Sequence, residues 1–509
     1  MPSPWLRDLE DRLDVELAEG APTSPFRPAV LRWAEANGRR VDSLPLIESL
    51  EASRIGGRGG ARRYRWNFPV AEWIDADDRL GWRPAERESA ERDPDGHAAR
   101  LWVPPVLAEH VEWLDGVGRA AAVPTPVAAR ARGLLAEARA TIEDDLALRV
   151  AGGDAWGDTF LLWTFARRPR ALTLFPGLVS AIAARYAARA ARTSGLVRGR
   201  TYPFFDTPIP SATAHLAAAA ARTGEGLDLV APAVDWLRAE RRRDGGWGDP
   251  RQPTDLLTTL AVAELLGQLD PSFEPASVLE VMESKVSERG GRPELVGPEW
   301  PWLGAEILAF AQWSGRPFRE RFRWPHVPAW MTEPRFNVPR KEAFGVHAHL
   351  FEQLPGLAGL PVEFAFIDLA GFGKWNTDHG MEEGDELLAL LVTQLQTIPD
   401  SRTIRDGGDE FLVLGAPQAD GLQQRLEPVF DRWPGVSRGR FRDLPVVPLR
   451  AVVGHGPAGG LRSLHERLGK AIGDVKHEHP SPPPEGVIVQ LGERGARERP
   501  GTPTRRIRG

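Results

Sequence analysis

Two short stretches constrain this chain more than any others. Val362–Leu369 (VEFAFIDL) is an apolar run with an aspartate next to its end, which is the composition of a buried strand. Thr403–Gly415 (TIRDGGDEFLVLG) reads as strand, tight Gly-Gly turn and strand, with acids at the turn. Between them, the spacing predicts a glycine-broken turn over Gly371–Gly380. A helical face follows over Glu383–Thr397, carried by Leu387, Leu388, Leu391 and Leu395. If the two strands are neighbours, the carboxylates of Asp368, Asp409 and Glu410 converge. Converging hard oxygen ligands suit Mg²⁺, which completes its sphere with water and phosphate. A glycine-rich turn leaves backbone N–H groups free to hold phosphates. Metal ions that bridge attacking and leaving oxygens serve in-line nucleotidyl transfer. On spacing alone the stretch is a Mg²⁺–nucleotide site; the plain alternative is a hairpin turn beside an unrelated aspartate.

The rest of the composition narrows the field. At 509 residues the chain has room for two to four domains, at roughly 150 residues each. The net charge of −6 is too balanced to make nucleic acid or an acidic membrane the main partner. Cysteine is absent, which excludes disulfides, Cys-ligated zinc, iron–sulfur clusters and thiol catalysis. No apolar run approaches the ~18 residues that span a bilayer, and the first residues are acidic where a signal peptide is basic. A cytoplasmic location without a membrane span is the expectation. The 11 histidines are scattered, with no His-x-x-x-His pattern and no Ser/His/carboxylate spacing, so His455 and His477 are expected on loops or the surface.

Ahead of this region lies a loose repeat. The aromatic anchors Trp156, Phe204, Trp247 and Trp300 lie 48, 43 and 53 residues apart, and each precedes an Ala/Leu-rich helix. That period describes stacked helical hairpins, which cannot bury an apolar face singly and must pack on neighbours or close into a ring. The sharpest unit, over 230–267, contains VDWLRAERRRDGGW. It resembles the QW repeat of squalene–hopene cyclases and related α/α-toroid proteins, through Trp236, Leu237, Gly245 and Trp247. Arg241 stands where that family has Gln and can still stack on Trp247. The resemblance implies an all-α toroid over 1–330, whose Trp-rich interior takes an apolar ligand or a protein partner. Asp75-Ala76-Asp77-Asp78 has the spelling of a class II terpenoid cyclase acid, but it precedes the repeat and runs into Arg79, so a surface turn is the expectation. A Pro-rich neck follows over 316–339, and the Gly-, Pro- and Arg-rich tail over 491–509 is expected to be disordered.

Residues 337–490 resemble the GGDEF, or diguanylate cyclase, family. Gly407-Gly408-Asp409-Glu410-Phe411 spells its name motif, and Asp368–Asp385 (DLAGFGKWNTDHGMEEGD) aligns without a gap on a second motif of the family. The resemblance implies an α+β, palm-like nucleotide cyclase domain that condenses GTP with Mg²⁺ or Mn²⁺. Asp368, Asp409 and the carbonyl of Leu369 would ligate metal, and Glu410 would assist metal and nucleophile. Asn376 and Asp385 would read guanine. Phe372, Gly373 and Gly408 would line the nucleotide, and Lys476 would hold its triphosphate. The sequence also departs from the family. Ala370 replaces a second Asp, Gly373 a phosphate-contacting Lys, Gly473 a helix Tyr, and His477–Pro480 a Gly-Arg-Asn. Ile398 and Ser401 stand where the product-inhibition motif would be. Phosphate clamping is thinned and that feedback control is lost.

Three functions fit. The first is a GTP cyclase making cyclic di-GMP or a related guanine nucleotide, active as a homodimer and regulated by the helical part. The second is a GTP-binding module that no longer cyclises. The third is a terpenoid-type or lipid-handling toroid with an accessory GGDEF unit.

Overall fold

The computed structural model describes residues 3–19, parts of 30–52, 71–73, 82–84, most of 107–119, and 123–151, 155–168, 174–202, 205–250, 253–288, 300–327 and 331–491. The Asp75–Asp78 acids, the tail beyond Leu491 and the anchor Phe204 lie outside the described residues, as do the side chains of Trp156 and Trp300. No described helix is long and apolar enough to cross a membrane. The chain divides into two compact units, Met1–Gly267 with Phe273–Arg316, and Gln268–Ser272 with Pro317–Gly509.

The first unit is mainly helical but not all-α as expected: Ala71–Trp73 pairs with Trp82–Pro84, and Arg198–Tyr202 with Phe205–Pro208, in two short antiparallel hairpins. Pro210–Thr223 and Leu256–Leu269 follow the anchors Phe204 and Trp247 as expected, whereas Trp156 and Trp300 lie inside the helices Ala155–Arg167 and Trp300–Ser314. Their side chains meet in one core. Trp163 stacks on His215 with ring centroids 5.1 Å apart, and Phe160 meets Trp302 edge-on at 6.2 Å. The Arg167 guanidinium lies 4.4 Å from the centre of the Trp163 ring, donates to Glu264 at 3.1 Å and pairs with Glu306; Arg168 reaches Glu306 at 2.6 Å. Burial first, and the Arg167 charge second, push the His215 pKa down to about 3, so its ring is a neutral plate in this core.

The turn of the sharpest repeat holds two helix ends together. The Trp247 indole is 1% exposed and donates to the Leu237 carbonyl at 2.7 Å, in the helix Val230–Ala239. The Trp247 amide and carbonyl both meet the Thr259 hydroxyl at 3.1 Å, in the first turns of the next helix. Arg241 stacks on the indole, 5.4 Å from the ring centre. An arginine therefore covers the ring as the sequence suggested. Gly245 turns the chain with φ of +89°, a left-handed conformation that side chains resist.

The second unit is α+β. Its mixed sheet comprises β1 (Pro361–Leu369), β2 (Ser401–Gly407), β3 (Glu410–Gly415), β4 (Leu449–Pro457) and β5 (Val487–Gln490), in the order β5-β4-β1-β3-β2. Neighbours are antiparallel except β4 and β5. β1 is buried at its last six positions, which explains its unbroken apolar run. Phe364 to Leu369 alternate between two covered faces. Ala365, Ile367 and Leu369 join Leu387, Leu391, Phe411, Val413, Phe430 and Trp433 in the main core.

One expected element differs. The segment after β1 is a short helix, Phe372–His379, rather than a turn. Phe372 and Trp375 are one helical turn apart, and burying both, at 7% and 5% exposure, winds the segment onto the core. Gly371 and Gly380 bracket it with φ of +78° and +103°. The long helix begins slightly earlier than its apolar spacing suggests, over Met381–Leu395.

Candidate functional site

Register places the site. Asp368, on β1, lies directly opposite Glu410 on β3 and opposite Arg450 on β4. Opposed residues of adjacent strands project from the same face, so one anion is flanked by another anion and a cation. The helix Leu461–Glu478 packs along this face and delivers Lys476. The Lys476 ammonium stands 2.8 Å from Asp368 Oδ1 and 2.8 Å from Glu410 Oε1. Burial works against that ammonium, but its hydrogen bonds to the two carboxylates outweigh burial and raise its pKa.

Asp409 sits at the hairpin tip between β2 and β3, where Gly407 pairs with Glu410. Burial, and next the Asp368 carboxylate, raise its pKa above the ordinary value, with Glu410 adding to the effect. Arg405 steadies the tip by donating to the Gly408 carbonyl at 2.6 and 3.1 Å. Three carboxylates gather at the strand ends, two of them gripping one ammonium. Among the described residues no three acids or histidines are already drawn together around a vacant metal position. Lys476 holds that ground instead.

The residues expected to read the base are also neighbours. Asn376, in the short helix, rests on Gly384 of the long helix. A β-carbon at Gly384 would fall 1.7 Å from Asn376 Oδ1, so only glycine admits the amide there. That Oδ1 is buried against Gly384 and has no hydrogen-bond partner. Asp385, next along the helix, pairs with Arg335, whose side chain is 55% exposed. Leu369 closes β1 opposite Leu449 and its side chain is 1% exposed. Phe372 belongs to the core and seats the short helix. Gly373 is exposed in that helix's first turn, and Gly408 is exposed at the hairpin tip.

Two arginines at the site were not singled out from sequence. Arg335 sits in the turn of the small hairpin Thr332–Glu333 with Val338–Pro339. Arg450 is 5% exposed inside the apolar run LRAVV, and an arginine among buried strand residues is itself a signal. His455 and His477 are both exposed, at the end of β4 and near the end of the Lys476 helix.

No family model matches the chain, and no curated protein matches it. Among solved structures it is similar to the GGDEF domain of DgcB from Caulobacter crescentus in complex with c-di-GMP. That match has 18% identity, covers 32% of this chain and 98% of that chain, and has a TM-score of 0.28. It is similar to the FimX GGDEF domain from Pseudomonas aeruginosa, with 16% identity, 32% and 99% coverage and a TM-score of 0.27. It is also similar to diguanylate cyclase SiaD in complex with its activator SiaC, from Pseudomonas aeruginosa, with 20% identity, 32% and 62% coverage and a TM-score of 0.26.

Proposed function

We propose that the second unit is a nucleotidyltransferase that condenses GTP into cyclic di-GMP or a related guanine nucleotide. The observation that carries this reading is the meeting of Asp368, Glu410 and Lys476 at the ends of adjacent strands, beside Asp409 at the hairpin tip. Asp368, Asp409 and the Leu369 carbonyl would hold Mg²⁺ or Mn²⁺, with Glu410 beside them. The ion, when bound, supplies positive charge to the α-phosphate and its leaving group. Lys476 passes from the two carboxylates to the triphosphate as the nucleotide enters. Glu410, released from Lys476, accepts the proton of an attacking 3′-hydroxyl. The new O–P bond forms at the α-phosphorus of the other GTP, and pyrophosphate departs with the electrons of the broken P–O bond.

Asn376 Oδ1 and the Asp385 carboxylate are acceptors, which match the N1–H and N2–H₂ donors of guanine. Adenine lacks that donor pair, so Asp385 would gain nothing from the base and keep only its pairing with Arg335. Purified chain incubated with each labelled nucleotide and Mg²⁺, with products read by mass, is expected to convert GTP and leave ATP largely unused. A product made chiefly from ATP would refute the role given to Asp385.

Each such site holds one GTP, so turnover needs two chains face to face. We therefore expect a homodimer, at least transient, with specific activity rising with protein concentration. The helical unit would regulate or scaffold that encounter by taking an apolar ligand or a protein partner in its Trp-rich interior. Turnover by a strict monomer at a concentration-independent rate would sink this arrangement.

A second reading is a GTP-binding module that does not cyclise. One observation favours it: both carboxylate oxygens of Asp368 are already held by protein cations. The same product assay separates the two, because a binding module retains GTP without releasing pyrophosphate.

A further inference from the structure

Asp368 carries two cations of unlike character. Lys476 meets Oδ1 through a single-point ammonium whose side chain is 36% exposed. Arg450 meets Oδ2 through Nη1 at 2.8 Å, and its side chain is 6% exposed. The rest of the Arg450 guanidinium is tied down as well. Nε donates to the His479 carbonyl at 2.9 Å and Nη2 to the Pro480 carbonyl at 2.8 Å. His479 is the C-terminal cap of the helix that carries Lys476. Arg450 thus fastens β1, β4 and the end of that helix through three directed bonds, in the planar fork geometry that only arginine provides. A guanidinium does not deprotonate near neutral pH, and this one cannot swing away without breaking all three bonds.

The consequence falls on the metal. A pair of ions in a nucleotidyl-transfer site needs a carboxylate to reach both of them. Here Lys476 can leave Oδ1 for a phosphate, but Nη1 stays on Oδ2 and sets a fixed positive charge where a second cation would approach. We propose that Arg450 is a resident cation standing in for a second metal ion, so that the site takes one divalent cation per chain, on the Oδ1 side with Asp409 and Glu410. This rests on the nucleotidyl-transfer reading above. Arg450 acts through Asp368 and is a positioning residue. Its fixed charge would stabilise the negative charge of the reacting phosphate without being supplied from solution.

The test counts metal rather than product. Full-length protein is titrated with Mn²⁺ in the presence of a GTP analogue whose α,β-bridging oxygen is replaced by methylene, and free Mn²⁺ is followed by electron paramagnetic resonance. The wild-type chain is expected to take one Mn²⁺ at saturation. Arg450→Gln removes the charge and keeps hydrogen-bonding capacity. It is expected to admit a second Mn²⁺, or to bind the first at least about tenfold tighter, as the loss of a nearby unit charge dictates. Arg450→Lys, which keeps a charge near Asp368, is expected to stay at one. Two Mn²⁺ in the wild-type chain would overturn the proposal, and that count needs no variant. So would an Arg450→Gln protein with native circular dichroism and unchanged Mn²⁺ number and affinity. If the wild-type chain binds neither Mn²⁺ nor the GTP analogue, the nucleotidyl-transfer reading fails and takes this proposal with it. If it binds the analogue with two Mn²⁺, and in a separate assay converts GTP to product, only the role of Arg450 fails.

Discussion

Asp409→Ala is expected to abolish nucleotidyl transfer while leaving the fold intact. Asp409 is a tip residue of a two-stranded turn, outside the main core, and its pKa is raised by burial and by the facing Asp368. Removing it relieves a like-charge repulsion in the folded state, so thermal stability should hold or rise slightly. Activity should fall in the opposite direction. In the proposed function Asp409 would position the cation, and losing such a ligand typically costs about 3 kcal/mol or more, on the order of a hundredfold in rate. Circular dichroism and melting temperature, measured beside turnover, separate this outcome from misfolding. Near-normal turnover in a well-folded variant would remove the chemistry assigned to the hairpin tip.

Glu306→Ala should have the largest effect on stability, in the helical unit. Glu306 is 5% exposed and faces both Arg167 and Arg168, while Arg167 also reaches Glu264 and stacks on Trp163. A buried ion network adds little over well-packed apolar residues, but removing one partner strands charge in a desolvated place. The expected loss is about 3–5 kcal/mol. Urea unfolding followed by tryptophan fluorescence should show the helical transition at lower urea. Since Trp163 and Trp302 lie in this core, their emission reports it directly. Glu306→Leu tests the cause: it strands the same charge with a filled volume, so it should be about as damaging. A loss under about 1 kcal/mol in both variants would mean that the four helices are held by apolar packing alone.

Much of the site could be read locally. The apolar run VEFAFIDL made β1 a buried strand, and the Gly-Gly turn placed Asp409 and Glu410 at a hairpin tip, because both depend on residues within a few positions of one another. The same holds for Trp247 and Arg241, which stack across a single turn in which Arg241 also donates to the Gly245 carbonyl. The long helix was visible from its leucines, and both its ends lie slightly earlier than expected. The short helix over Phe372–His379 was hidden behind its glycines, since its stability comes from Phe372 and Trp375 docking on a core that the segment does not itself contain.

Tertiary structure decided the rest. Arg450 and Asp368 are 82 residues apart, and nothing near either one states that they share a register. Strand pairing at that distance is set by how whole faces pack, and a one-residue slip would turn Arg450 to the other side of the sheet. Likewise, Arg335 on Asp385, and Arg167 among carboxylates from two other helices, join residues whose own neighbourhoods read as ordinary surface or helix. Spacing singled out the three acids Asp368, Asp409 and Glu410, and the family resemblance added Lys476 and the pair Asn376 and Asp385. Only the fold determined how the charges are balanced, because Coulomb energy depends on distance in space and on burial, and neither is written along the chain.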